Sequence, residues 1–241
     1  MSSPYGLDII DSCLGCRVRE SFLFCSLSGP ALQKLDEIKS VATYPRGAFL
    51  FLEGQPCRGV FILCQGRVKL FTSSSEGKDI ILRIAQPGEV LGLSAAVYGR
   101  PYLATAETTE PTQANFFRRD DFVNFLREHG DAAFRAAQVL SYDYHAAYEM
   151  VRTLGIAHST PEKLARLILR WAAAAKQHGK NGEPIPIHVT FTHEEIASMI
   201  GTCRETVERL LSEFKRRQMI RLHGSSLTIL DRVALEKLLH Y

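Results

Sequence analysis

What this 241-residue chain lacks narrows its reading first. It contains no run of eighteen apolar residues, so no segment is expected to span a membrane. Its opening, MSSPYGLDIIDSC, has no basic start followed by an apolar core and is not read as a secretory signal. Both absences predict a cytoplasmic protein. There thiols stay reduced, and six cysteines are ligands, redox sensors or core residues rather than structural disulfides. No phosphate loop, nucleophile elbow or HExxH is present, and the CxxC does not open a helix after a strand. A CxxC thiol oxidoreductase is thus a remote alternative, and the chain is not expected to be an enzyme. A strong charge of one sign is also missing: 29 Lys and Arg stand against 26 Asp and Glu. The small surplus is unevenly placed, with 13 basic against 9 acidic residues in 156–241 and 16 against 17 in 1–155. A basic C-terminal part is the electrostatic footprint that phosphates require. The length allows two domains, each with its own core.

What is present concentrates in residues 191–230, which read as two short helices joined by a turn and followed by a hairpin. Thr192 with Glu195 predicts one capping box, and Thr202 with Glu205 a second. The first helix then has room only for His193 to Ile200, with Gly201 to break it. In the second, Val207, Leu210, Leu211 and Phe214 repeat at the spacing of a buried stripe. Arg204, Glu205, Glu208, Arg209, Ser212, Lys215 and Arg216 share the opposite face. A helix anchored on one side and polar on the other suits a DNA major groove. Residues 219–222 and 227–230 flank a Gly224-Ser225-Ser226 turn, which completes a winged helix. The alternative is an ordinary helical pair with a solvated charged face.

Upstream, Cys13, Cys16 and Cys25 form a C-x2-C-x8-C pattern. Two thiolates two residues apart can grip one metal or cluster, and a third nearby strengthens that reading. A thiol switch remains open, as does an incidental pair with Cys25 in the core. ALQKLDEIKS (31–40) reads as an amphipathic helix with Leu32, Leu35 and Ile38 inward. From 41 to 118 the period becomes two. Runs at 48–51, 59–63, 67–71, 79–84 and 113–117, separated by Gly- and Pro-rich turns, predict a small antiparallel barrel or jelly roll. Asp120 onward is helical. From Asp131 to about Gly155, Ala133, Ala137, Leu140, Tyr144, Ala147, Val151 and Leu154 alternate by four and three, the seam of a two-fold dimer. Gly155 to Thr160 reads as a hinge. Ser159 or Thr160 caps a helix opened by Pro161, with Leu164, Leu167, Ile168 and Trp171 inward.

Barrel, long helix, hinge and winged helix, in that order, resemble the Crp/Fnr family of bacterial transcription regulators across nearly the whole chain. The most specific pieces are Glu53-Gly54, Cys64-Gln65-Gly66-Arg67-Val68-Lys69, Pro87-Gly88-Glu89-Val90-Leu91-Gly92 and the run from Gly201 to Arg209. The resemblance implies an α+β chain: residues 1–30 a cysteine-containing segment, 31–130 a cyclic-nucleotide-binding-like β-roll sensor, 131–157 a dimerisation helix and hinge, 158–241 a winged-helix DNA-binding domain. Arg204, Glu205 and Arg209 match the R-E-x-x-x-R with which the catabolite-activator branch reads a palindromic operator. Arginine can pair with guanine and glutamate with the cytosine amino group. Glu208 departs from that branch's small residue and is a further candidate for base contact. Thr192, His193, Thr206, Lys215 and Arg216 are candidate phosphate contacts. The partners implied are double-stranded DNA, a second copy of the chain and, for an activator, RNA polymerase.

At the sensor end, cyclic-nucleotide-binding members carry a glutamate for the ribose and an arginine for the phosphate. Here Leu93 takes the glutamate's place, and the stretch 102–105 lacks the arginine, so cyclic AMP is not the expected ligand. The three N-terminal cysteines resemble instead the oxygen-sensing Fnr branch, which holds a [4Fe–4S] cluster with a fourth cysteine near the barrel's end. In that branch the third cysteine follows sooner. The fourth position here falls near Thr112 or Gln113, neither of them a thiolate. Cys64, on a strand, reads as core, and Cys203 lies in the DNA-binding turn. A cluster or other metal therefore calls on Cys57, on a carboxylate, or on an incomplete site. The leading expectation is a homodimeric regulator responding to oxygen or redox state. The alternative is a small ligand or haem in the β-roll, with the cysteines incidental.

Overall fold

The computed structural model describes residues 4–16, 19, 22–74, 79–155, 159–176, 187–188, 191–223 and 226–240. Contacts divide the chain into two compact units, Met1–Ala146 and Ala147–Tyr241, with the break inside one long helix.

In the first unit, helix α1 (Gly29–Ile38) starts with Pro30 in its first turn and buries Ala31, Leu32 and Leu35. Eight strands follow: β1 (Ser40–Tyr44), β2 (Phe49–Phe51), β3 (Gly59–Gln65), β4 (Val68–Ser73), β5 (Asp79–Ala85), β6 (Val90–Leu91), β7 (Thr105–Thr108) and β8 (Thr112–Arg118). A short helix α2 (Leu93–Tyr98) lies between β6 and β7. The strands form two antiparallel four-stranded sheets, β1-β8-β3-β6 and β2-β7-β4-β5, the jelly roll expected from the period of two. β1, β6 and β7 had no expected counterpart. β1 is mostly exposed at a sheet edge, and β7 buries only Ala106 and Thr108, so neither gives a strong apolar alternation.

Strand β3 is buried along its first five residues, and its side chains alternate between two cores. Val60 and Ile62 point with Phe117, Phe122, Phe125 and Phe24 into one, while Phe61 and Leu63 join Phe51, Leu70 and Tyr102 in the other. Helix α3 (Arg119–Glu128) and the start of α4 (Gly130–Gly155) close the first core through Phe122, Phe125, Ala132 and Ala136.

The second unit contains α5 (Thr160–Lys176), β9 (Ile187–His188), α6 (His193–Ile200), α7 (Arg204–Arg216), β10 (Ile220–His223), β11 (Ser226–Ile229) and α8 (Arg232–Lys237). Ser159 Oγ accepts from the Glu162 N–H, so Ser159 rather than Thr160 caps α5. Leu164, Leu167 and Ile168 are buried as expected, and Trp171 packs against Phe191 with the rings tilted by 39° and their centroids 5.1 Å apart. β10 and β11 pair from Ile220↔Ile229 to His223↔Ser226. β9 adds an unforeseen third strand on β11. The turn residues Gly224 and Ser225, the 75–78 turn and hinge residues 156–158 lie outside the described residues. Among the described residues no helix is long and apolar enough to cross a membrane.

Gly66 turns β3 into β4 with φ +83°, where a Cβ would meet Thr112 Oγ1 and stand 2.5 Å from the Pro111 carbonyl oxygen. Gly66→Ala is expected to cost about 1–3 kcal/mol, read as a lower midpoint of the first unit's unfolding transition.

Candidate functional site

The capping box at α6 forms as expected. The Glu195 N–H donates to Thr192 Oγ1 at 3.2 Å and the Thr192 N–H to Glu195 Oε2 at 2.7 Å. Gly201 ends the helix in the left-handed region at φ 68°. The second box does not form: Cys203, not Thr202, is the residue before α7, with no side-chain cap. Its Sγ lies 3.1 Å from Thr206 Oγ1. Thr202 is drawn back instead, its N–H bonding to the Ala197 carbonyl at the end of α6.

Val207, Leu210, Leu211 and Phe214 seat α7 in the core, all 5% exposed or less. Arg204, Glu205, Arg209, Lys215 and Arg216 are exposed, Thr206 and Glu208 partly so, and Thr192 and His193 stand exposed at the start of α6. Glu208 is engaged within the protein. Its Oε1 accepts from Arg204 Nε at 2.7 Å and meets His193 Nδ1 at 3.3 Å. The Arg204 bond, and then His193, hold its carboxyl below the ordinary glutamate range, so it stays ionised. Glu208 is therefore a brace joining the two helices through Arg204 and His193, while Arg209 is exposed on the same face of α7, one turn from Glu205.

Along α4 the expected seam is partly redirected. Leu140 packs against the β-roll core, beside Val139 and Ala136, and Ala133 is half-buried. Ala137, Tyr144, Ala147 and Val151 are exposed; the side chain of Leu154 lies outside the described residues. Phe134 and Tyr148, which the seam did not include, are 64% and 59% exposed. With Ala137, Ser141, Tyr144 and Val151 they keep the three–four alternation, moved round the helix by about one position because the core claims Leu140.

The cysteines converge, though not as the spacing alone suggested. Cys13, Cys16, Cys25 and Cys64 line one small cleft with Arg19, Phe22, Leu32, Leu35, Ile62 and Asn115. Cys57 is elsewhere. Its Sγ faces the Gly59 carbonyl at 3.5 Å, beside the Tyr102 hydroxyl, which donates to the same oxygen at 2.7 Å. So Cys57 does not join the three N-terminal cysteines, and Cys64, read as a core residue, does. Cys64 follows Ile62 by two residues on β3 and shares its face, and the N-terminal segment packs over that face. Thr112 and Gln113 serve other ends: Thr112 Oγ1 donates to the Glu110 carbonyl, and Gln113 bonds both backbone groups of Ile10.

The CxxC turn is pinned by Asp36. Its carboxylate accepts from the Cys13 N–H at 2.6 Å, Ser12 Oγ at 3.0 Å and Lys39 Nζ at 2.5 Å. Burial alone would raise the Asp36 carboxyl, but the bonds from Lys39, Cys13 and Ser12 carry it below the usual range. Burial pushes the thiols up, Cys13 to about 11 and Cys25 and Cys64 to about 12. Among the described residues no three His, Cys, Asp or Glu side chains stand close enough to hold one metal ion.

A second, larger cavity of about 450 Å³ opens in the β-roll between Tyr44, Phe51, Phe61, Tyr102 and Phe116, with Arg58 and Gln55 as its polar groups. That volume suits a small ligand. Leu93 is buried in the core with Val60, Ile62 and Phe117.

Residues 41–129 match the model of the cyclic nucleotide-binding domain, and residues 162–238 that of the Crp-like helix-turn-helix domain. The chain is 26% identical over 210 residues to a CRP-like cAMP-activated global transcriptional regulator of Mycobacterium tuberculosis, covering 87% of this chain and 92% of that one. It is also 26% identical over 226 residues to the transcriptional activator protein anr of Pseudomonas aeruginosa, covering 92% and 90%. In fold it is similar to FixK2 from Bradyrhizobium japonicum, with a TM-score of 0.70 at 19% identity over 83% of this chain and 97% of that one.

Two outcomes are expected. Because a thiolate is the reacting species and burial disfavours it, alkylation of Cys13, Cys25 and Cys64 at pH 8 should lag far behind that of exposed Cys203, and catch up only as the pH approaches 11–12; site-resolved mass spectrometry reads it. Glu208→Ala should lower the preference for operator over random duplex several-fold by freeing Arg204, while affinity for random duplex does not fall; fluorescence anisotropy measures both.

Proposed function

The chain belongs to the Crp/Fnr family of DNA-binding transcription regulators, and from that premise we propose that it acts as a homodimer on a palindromic operator and responds to oxygen or redox state through its N-terminal cysteines. The observation that carries the DNA reading is α7: an apolar stripe fully seated, with Arg204, Glu205 and Arg209 exposed on the other side. Arg209 and Arg204 read guanines, and Glu205 accepts from a cytosine amino group. Thr192, His193, Thr206, Lys215 and Arg216 contact phosphates and set the register. Glu208 takes no base itself and orients Arg204 and His193. RNA polymerase is the further partner if the regulator activates. No catalytic role is assigned.

Dimerisation uses the exposed row Phe134, Ala137, Tyr144, Tyr148 and Val151 on α4, a face apolar enough to seek a second copy. Two copies of α7 then meet successive major-groove faces of one operator, so half-site spacing follows from the α4 pair.

The sensing reading rests on the gathering of thiols at the cysteine cleft. Four thiols against an apolar wall fit an iron–sulfur cluster in kind, and a bound cluster supplies a centre whose integrity depends on oxygen and reductant. The chain's own residues carry the change onward. Phe22 and Leu23, between Cys16 and Cys25, lie with Arg83 and Glu89 beside Val139, Tyr142 and Asp143 of α4. Ser28 donates its N–H to Asp131 at the start of that helix at 3.0 Å. Movement of the 10–28 segment therefore alters the packing of the helix whose outer face pairs the two copies.

A second reading is favoured by the aromatic cavity: a small planar anion held by Arg58 and Gln55 between the rings is the signal, with the cysteines incidental. For haem the cavity offers no His, Met or Cys among its lining residues, only Tyr44 and Tyr102. Cyclic AMP is not the proposed ligand under either reading.

Operator selection followed by binding assays tests the first part. Arg209→Ala should lose about five- to a hundredfold in discrimination at one base pair of each half-site while still binding random duplex. Undiminished discrimination would overturn the recognition role. Cys13→Ser with Cys16→Ser should abolish the difference in operator affinity between anaerobic and air-exposed protein; a preserved difference favours the cavity.

A further inference from the structure

Resting on the cysteine-sensing reading above, we infer that Cys64 is the fourth thiolate of the site formed by Cys13, Cys16 and Cys25, and that Asn115 positions two of the four sulfurs. Three independent features of the first unit converge on this. The cleft is the first: three cysteines come from the N-terminal segment and Cys64 from strand β3, with an apolar wall of Phe22, Leu32, Leu35 and Ile62.

The second is the strand itself. β3 and β8 stay in register from Gly59↔Arg118 to Leu63↔Ala114, then slip before Gln65↔Gln113, leaving Cys64 without a cross-strand partner. By alternation from Val60 and Ile62, Cys64 lies on the face over which the cysteine segment packs, and Gln65 beside it bonds the Asp8 carbonyl of that segment.

The third is Asn115 on β8. It is 2% exposed, its Nδ2 donates to Cys13 Sγ at 3.5 Å, and its backbone N–H is directed at the Cys64 thiol. Its Oδ1 is buried with no hydrogen-bond partner. A buried amide left half-satisfied is rare where nothing but packing is at stake. Two N–H groups of one residue thus point at two sulfurs on separate elements, the arrangement by which a protein tunes a cluster's potential.

A tetrahedral ion brings its sulfurs to roughly 3.8 Å from one another, and no group able to hold one exists among the described residues. A cluster places an iron behind each sulfur and spreads the four apart. The cleft has about 30 Å³ of room, enough for a water or two, so loading must move the N-terminal wall outward. That wall is a loop segment, whereas Cys64 and Asn115 are fixed in a sheet. On ligation each S–H bond breaks, its proton passes to solvent, and an S–Fe bond forms without electron transfer. Lys39, which lowers the thiols' cost of ionising at Cys13 and Cys64, and Arg19 at the cleft offset part of the negative charge.

The test is anaerobic reconstitution of the full chain with iron, sulfide and a thiol reductant. Wild type and Cys57→Ser should each bind about four irons with the broad visible band of a cluster, and Cys64→Ser about three or fewer, with an altered paramagnetic spectrum. Circular dichroism of the iron-free forms checks folding, and the Cys57→Ser, Cys203→Ser double variant provides a form with Cys64 intact. X-ray absorption of that loaded variant should show sulfur alone around iron; an oxygen or nitrogen ligand would overturn the assignment. So would wild-type iron and spectrum in Cys64→Ser when Cys16→Ser has lost both. No iron–sulfur uptake by the wild type would instead sink the parent reading and this one with it. Asn115→Leu should keep the iron and shift the reduction potential downward, as loss of hydrogen bonds to sulfur requires; an unmoved potential removes Asn115 from the site.

Discussion

The pairing of β3 with β8 is the constraint on which the first unit depends. These two strands occupy the centre of one sheet, each flanked on its other side by a further strand. Their side chains divide the interior: Val60, Ile62 and Phe117 toward the helices, Phe61, Leu63 and Ala114 toward the opposite sheet. Because the side-chain period is two, a slip of one residue would send Val60 and Phe61 to each other's cores, and both cores hold the register against it. The slip tolerated in the structure comes after Leu63, where burial lessens. There β3 and β8 stop serving the core and meet the N-terminal segment instead, through Gln65, Gln113 and Asn115. The ladder therefore supplies a rigid half to which a loop half is attached.

Much of this was legible in the chain because it is periodic or locally capped. Thr192, Glu195 and Gly201 set the limits of α6 by themselves, since each acts on backbone groups within four residues. The stripe Val207, Leu210, Leu211, Phe214 marked α7 as buried on one side for the same reason. Thr202 misled because a residue can be drawn backward as well as forward: its N–H closes the preceding helix, and Cys203 is left to begin the next. Glu208 carries a relation its position did not announce: its partners are Arg204 one turn earlier and His193 on the other helix, and only the crossing of the helices brings His193 near.

Leu140 and Cys64 mark the limit of pattern reading. Both are positions where two surfaces compete for one side chain. A four–three alternation assigned Leu140 to the dimer seam, yet the β-roll core takes it, and the outward row passes through Ser141 and Tyr148 instead. Period two within β3 places Cys64 on the face of Val60 and Ile62, but which segment packs over that face is decided by the tertiary fold. The N-terminal cysteines declared themselves by spacing; their companion did so only through the sheet.

The burial that defines the cysteine cleft also sets its chemistry. Apolar surroundings disfavour the thiolate at Cys13, Cys25 and Cys64, so the free thiols are poor nucleophiles and poor one-by-one redox switches. Under the proposed ligation, positive charge shared among the four sulfurs removes that penalty together rather than singly. Since Phe22 rests on Gly88, where a Cβ would strike its ring, and Ser28 is tied to Asp131 of α4, the segment cannot rearrange without disturbing the helix. The proposed sensing role therefore draws on two parts of this unit: a segment tied at Phe22 and Ser28, and a sheet that holds Cys64 and Asn115.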